Sequence, residues 1–294
     1  MIALLNIFEI VAPVFILAAV GYFWVKFGFE YRVEFVTQFA MAIALPCLVF
    51  TALMKTEFQP YYFGNLFMAA IVAYFSLAIL ASVFVRVFNL GKRTFLMPLI
   101  SGNTGNLGLP LCLFAFGDAG FGYAIMVFSV TSIVAFTIGV WVVAGGGSLK
   151  QFLREPLVAS TIFGLIFMWQ GWKTPSFLTN SMELIGQMAI PMMLITLGVA
   201  VARLKITDVK KSFLISSCKI LFGIATAILV SFMFDLPKVA ISVLILQFSM
   251  PIAVTSYLLA EKYGANSNAV AGLVVVSTFI TIGVSPILIA FLIT

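Results

Sequence analysis

Residues Ser101 to Pro110 read SGNTGNLGLP and lie between two apolar runs, RTFLMPLI (93–100) and LCLFAF (111–116). By composition the flanks are one membrane helix. The three glycines, two asparagines and one proline inside it are helix breakers. The stretch therefore predicts a helix interrupted at the depth of a bilayer, with the break at Pro110.

The rest of the chain fixes the solvent. Of 294 residues, 63% are hydrophobic and 9% are charged, against roughly 25% charged in a soluble domain. Apolar runs of about 20 residues, each enough to cross a hydrocarbon core of about 30 Å, recur throughout. Ten spans are predicted, at 5–26, 34–54, 62–86, 94–116, 119–143, 156–173, 178–202, 211–234, 238–261 and 267–292. The first reads as a retained span rather than a cleaved signal, because no Lys or Arg precedes Lys26.

Charge then sets the orientation. Twelve basic residues fall on one side: Lys26, Arg32, Arg86, Lys92, Arg93, Lys150, Arg154, Arg203, Lys205, Lys210, Lys211 and Lys262. The other side receives Lys55, Lys173 and Lys238, and Lys219 falls inside a span. The positive-inside rule makes the twelve cytoplasmic and puts both termini outside. The net charge of +6 is thus a topology signal, and nucleic-acid binding is not expected. With no histidine, and with Cys47, Cys112 and Cys218 each inside an apolar run, the pattern argues against a transition-metal site.

The chain also repeats itself. AIALPCLVFTALM in span 2 matches QMAIPMMLITLGVA in span 7, with Pro46 against Pro191 at an offset of 145. The interrupted span 4 matches span 9, LILQFSMPIAVTSYLLAEKYG, with Pro110 against Pro251 at an offset of 141. The expected domains are a first five-span repeat over 1–144, a cytoplasmic linker over 145–155 and a second repeat over 156–294. Five is odd, so the second repeat is inverted in the membrane. Inverted repeats with interrupted helices at matching positions point to a secondary transporter and to its binding site.

The chemistry of the break supports the same reading. Unwound backbone in hydrocarbon leaves N–H and C=O groups unpaired, at several kcal/mol each, unless protein, water or substrate satisfies them. Half-helix N-termini present bare N–H donors that suit an anion. The expected substrate-binding residues are Asn103, Thr104, Gly105, Asn106, Gly108 and Pro110 in span 4, and Gln247, Ser249, Pro251 and Thr255 in span 9. Lys219 lies eight residues past Lys211, about 12 Å into span 8. An ionisable residue at that depth is a functional candidate. It either contacts substrate, takes part in coupling, neutralises carbonyls freed at the breaks, or snorkels back to the cytoplasmic surface.

These residues resemble the auxin efflux carrier family, which includes plant auxin carriers and bacterial malate and malonate permeases. The resemblance rests on APVFILAAVGYFWVKFGF (12–29), IALPCLVFTAL (43–53), SGNTGNLGLPL (101–111) and MPIAVTSYLLAEKYG (250–264). It implies an all-α fold of ten spans, with a scaffold domain (spans 1, 2, 6, 7) and a transport domain (spans 3–5, 8–10). It also implies that spans 4 and 9 cross at their prolines to hold a carboxylate-bearing substrate. The short linker favours a bacterial-type permease in the inner membrane over a plant auxin carrier. No cofactor is expected, and a coupling proton or sodium ion is left open, as is a homodimer formed through the scaffold.

The leading expectation is a secondary carrier of a small organic anion working by alternating access. A sodium-coupled symporter like the bile-acid carriers is the alternative. An intramembrane enzyme lacks histidine and paired deep aspartates, and a channel would not show saturable counterflow. Neither an enzyme nor a channel is expected.

Overall fold

The computed structural model describes residues 2–55, 60–144, 156–204 and 208–293. The 145–155 linker lies outside them. The regular structure among the described residues is helical, joined by short non-helical segments, and their one β pairing is an antiparallel bridge between Gly102 and Ile252. Six helices are long and apolar enough to cross a membrane: Val33–Lys55, Tyr62–Val87, Thr104–Val134, Ser176–Arg203, Val209–Ser231 and Ser267–Ile293. Shorter apolar helices cover Ala12–Lys26, Ala159–Gln170 and Lys238–Phe248.

In chain order the first helices are α1 (Ile2–Lys26), α2 (Val33–Phe39), α3 (Leu45–Lys55), α4 (Pro60–Val87) and α5 (Lys92–Ile100). They are followed by α6 (Leu109–Val134), α7 (Val140–Ala144), α8 (Pro156–Gln170), α9 (Ser176–Gln187) and α10 (Ala189–Arg203). The chain continues with α11 (Val209–Ser231), α12 (Lys238–Phe248), α13 (Val254–Lys262) and α14 (Ser267–Ile293). π-helical turns at Ala40–Ala44, Thr104–Gly108 and Ala135–Gly139 join α2 to α3, lead into α6 and join α6 to α7.

The prolines explain several irregularities. Proline has no N–H to donate, and its ring clashes with the carbonyl four residues earlier. For Pro46 that carbonyl belongs to Ala42, inside the first π turn. For Pro110 it belongs to Asn106, inside the second. For Pro191 it belongs to Gln187, where α9 ends. This corrects the expectation of a break at Pro110. Pro110 is the second residue of α6, an N-terminal position where a missing N–H is tolerated. The non-helical residues are Ser101–Asn103, seven to nine positions earlier. In the other expected interruption, Pro251 does lie within the non-helical segment between α12 and α13.

A second glycine effect divides α6. Gly117 has φ 64° and ψ −161°, a conformation that side chains disfavour. A Cβ placed on Gly120 would lie 3.2 Å from the carbonyl oxygen of Cys112. Eight residues of straight helix would separate them by about 12 Å, so the chain folds back at Gly117. That is where the sequence pattern separates its fourth and fifth apolar runs.

Packing sorts the helices into two groups. In one, α1 lies along α10 and α3 along α8 and α9. A Cβ on Gly198 would sit 2.9 Å from the backbone nitrogen of Tyr22, so α1 and α10 touch backbone to backbone, as small residues allow in membrane helix pairs. In the other group α4, α5, α6, α11, α12, α13 and α14 pack on one another. The groups meet where α1 contacts α6 and α14 and where α10 contacts the Thr104–Gly108 turn. Outward-facing Phe75, Phe177, Phe232 and Phe291 are each more than two-thirds exposed, a surface suited to lipid tails.

Candidate functional site

The two non-helical segments are joined to each other. Asn103 donates its N–H to the Pro251 carbonyl at 2.6 Å, and Ala253 donates its own to the Ser101 carbonyl at 3.1 Å. Ile252, between them, donates to Ser277 Oγ at 3.0 Å. Backbone groups that would be orphaned in an apolar body thus find partners in each other and in α14.

Helix resumes at Thr104 on one side and at Val254 on the other. The first N–H groups of a helix have no acceptor within it, and they carry the positive end of its dipole. Both beginnings line one cavity of about 560 Å³. Asn103, Thr104, Gly105, Asn106 and Thr255, all expected site residues, face it, together with Ser101, Gly102 and Ala253. Asn103 is buried, and its side-chain nitrogen has no hydrogen-bond partner among the described residues; the same holds for the hydroxyl of Thr104. These two polar atoms lie within the cavity wall, covered from the cavity itself, and are buried groups short of a partner that call for an explanation.

The remaining expected residues stand behind the cavity wall. Gly108, Pro110, Gln247, Ser249 and Pro251 do not line it. Gln247 is fully buried, and neither end of its amide is partnered among the described residues. A Cβ on Gly108 would come within 2.9 Å of its Cδ, so the two expected residues do meet, on the far side of the crossing. Ser249 uses its hydroxyl on the Leu246 carbonyl.

Lys219 also stands behind the wall. It is 1% exposed. Its ammonium donates to the Phe248 carbonyl at 3.4 Å and to the Met250 carbonyl. The Phe248 carbonyl closes α12, at the negative pole of that helix, and Met250 lies two residues beyond its end. A Cβ on Gly102 would lie 3.2 Å from Nζ, so only the thin backbone of Gly102 screens the cation from the cavity. No carboxylate pairs with Lys219 among the described residues. Of its expected roles, carbonyl neutralisation is the one the geometry contains.

Sequence reading missed the opposite wall. Tyr31, Thr37, Met41, Thr196 and Arg203 line the same cavity from the α1–α2 connection, α2, the π turn after it and α10. Thr196 gives its hydroxyl proton to the Met192 carbonyl at 2.7 Å, so Tyr31 must donate to Thr196 Oγ1 in their 2.8 Å bond. Burial raises the Tyr31 phenol above its ordinary pKa, against the opposing pull of Thr196 and Arg203. It stays a neutral donor. Arg203 donates from Nη2 to the Tyr31 carbonyl at 2.6 Å. The signal for this wall was present only as basic residues at span ends, which topology alone accounts for.

An all-helical apolar body with membrane-length helices around a cavity of mixed apolar and polar lining fits the multi-pass membrane transport proteins. The chain belongs to the family described as Membrane transport protein, that of the auxin efflux carriers, whose model matches residues 6–148 and 145–289. An uncharacterised transporter of Methanocaldococcus jannaschii is 26% identical, over 92% of this chain and 94% of its own length. A protein of Rhizobium meliloti named as a candidate malonate transporter is 20% identical, over 83% of this chain and 82% of its own.

Proposed function

We propose that this chain is a secondary carrier of a small organic anion, crossing the membrane ten times as a 5+5 inverted repeat over 1–144 and 156–294. Spans 4 and 9 are the interrupted pair. The α1, α3, α8, α9 and α10 group is the scaffold, and the remaining helices form the transport domain that moves against it. One observation carries the reading: two helix N-termini converge on one cavity, while Lys219 takes up carbonyls behind them.

Such a site is electropositive without a bound metal, and a carboxylate completes it. The name of the Rhizobium relative makes malonate and its homologues the first substrates to try. Lys219 also bears on the sodium-coupled alternative, since its ammonium already holds carbonyls that a sodium ion would otherwise coordinate. The cavity wall includes Tyr31 to Phe35, Arg203 and Leu204, next to basic residues assigned to the cytoplasm, so the carrier is drawn here facing inward. Cysteine labelling at positions 2 and 294 tests that orientation, and labelling from the cytoplasmic face alone would reverse it.

Counterflow in proteoliposomes decides the activity. Vesicles loaded with unlabelled malonate should accumulate labelled malonate transiently and saturably without a sodium gradient. Flux that never saturates would make the protein a channel, and accumulation that requires sodium would favour the symporter. No flux with any dicarboxylate, indole acid or bile acid would overturn the organic-anion reading.

A further inference from the structure

The two walls of the cavity come from the two helix groups, and only the crossing wall has a role so far. The other carries Arg203, at the last turn of α10. A guanidinium has five N–H donors in a planar fork, and the structure commits one of them, to the Tyr31 carbonyl. That bond anchors the fork at the cavity wall.

The neighbouring charges do not duplicate it. Arg32 lines the cavity too, but its Nε is engaged by Glu30 at 2.8 Å. Glu34 is a lining carboxylate, which repels anions. Among the described residues Arg203 forms no ion pair. Tyr31 and Thr196 spend their hydroxyl protons on Thr196 Oγ1 and the Met192 carbonyl, so neither competes for an incoming anion. Arg203 is the lining arginine whose charge no carboxylate pairs among the described residues, whereas Arg32 is paired with Glu30.

We infer that Arg203 receives a second carboxylate of the substrate, so that a dicarboxylate bridges the scaffold wall and the helix N-termini of the crossing. This rests on the organic-anion reading above and narrows it. A monocarboxylate satisfies one wall only, whereas a dicarboxylate engages both. The planar fork suits a carboxylate bidentately in a way an ammonium cannot. Occupancy of both walls would tie together the two bodies that move in the transport cycle. Topology gives an arginine a reason to be at a cytoplasmic helix end; it gives none for lining the cavity with its donors uncommitted.

The test uses the purified full chain and a chain-length series, malonate, succinate and glutarate, each against the monocarboxylate of equal carbon number. Binding is read by calorimetry. The parent should prefer the best dicarboxylate over its matched monocarboxylate by about tenfold. That is the low end for a hydrogen-bonded charge, because Arg203 is exposed and partly screened. Arg203→Gln should weaken the dicarboxylate about tenfold and the monocarboxylate much less, bringing that ratio close to one, and a parental melting temperature shows that the variant is folded. Arg203→Lys should restore part of the preference. An unchanged ratio in Arg203→Gln would overturn the inference and leave the carrier reading standing, as would equal loss of both ligand classes. A parent that binds no carboxylate would instead remove the carrier reading, and this inference with it.

Discussion

Gly102 and Ile252 face each other as an antiparallel pair at the centre of the crossing. The flanking bonds, Asn103 to Pro251 and Ala253 to Ser101, exchange places when each residue of the first segment is matched to the one 150 positions later. A local two-fold relation therefore runs through Gly102 and Ile252. Its spacing differs from both proline offsets. Lys219 breaks this symmetry. It holds carbonyls of the second segment and its approach, those of Phe248 and Met250.

The crossing wall makes Asn103 and Asn106 the first test of the site. Asn103→Ala and Asn106→Ala should each weaken substrate binding by about 1–3 kcal/mol, the usual cost of deleting a polar partner from a buried site. Asn103, the more deeply buried, should show the larger loss. Equilibrium binding of labelled malonate measures it. Parental affinity in both variants would move the site away from the crossing.

How much of this was legible in the sequence depends on what each residue type signals. Breakers within an apolar run pointed to the neighbourhood of the non-helical segments at 101–103 and 250–253. The residue at which span 4 unwinds was misplaced because proline disturbs the helix four positions before itself. At Pro110 that disturbance is a π turn, and the unwound residues lie farther back. The cavity wall opposite the two non-helical segments was illegible for another reason. Tyr31, Thr196 and Arg203 come from separate elements, none carries a breaker, and only packing of α1 on α10 brings them to one cavity. Lys219 was visible as a charge out of place, but its carbonyl partners required the crossing itself.

Gln247 should separate stability from function. Its amide is fully buried with neither end partnered among the described residues, and an unsatisfied buried polar group costs about 1–3 kcal/mol. Gln247→Leu keeps a similar volume and removes that cost, so the substrate-free protein should melt higher. Counterflow should fall nonetheless, because the proposed carrier motion brings Gln247 to the lining. A lower melting temperature would mean that the amide has a partner after all.

The α1–α10 contact makes a purely structural prediction. Gly198→Ala puts a Cβ against the backbone of Ala18 and Tyr22, and backbone cannot swing aside. Folded protein, read by gel filtration in detergent, should be largely lost. Gly64→Ala in α4 is the control. A Cβ there meets nothing within 4 Å, and alanine gains up to about 1 kcal/mol of helix propensity over glycine. Equal yields of the two variants would rule out the close approach.

Lys219 offers the sharpest comparison, because its geometry favours one role and its position admits another. The ammonium holds the Phe248 and Met250 carbonyls, and a buried cation removed from its partners leaves those groups unsatisfied. Lys219→Met keeps most of the stem and deletes the charge, so stability without substrate should drop by a few kcal/mol, within the range for breaking a buried hydrogen bond to a charged group. Lys219→Arg keeps the charge, but its planar head is larger and must fit beside Gly102, so it should rescue only part of the loss. Substrate affinity should also fall in Lys219→Met. The cation stands one backbone thickness from the cavity, and few charges in an apolar body are left to screen it. The order of the two losses assigns the role. Stability lost first, with affinity following, fits a counter-charge for the carbonyls. Affinity lost at parental stability would mean that Lys219 reaches the substrate directly, through some other arrangement of the crossing. A variant with both properties intact would show that the Phe248 and Met250 carbonyls need no cation, and the electrostatic account of the site would fall.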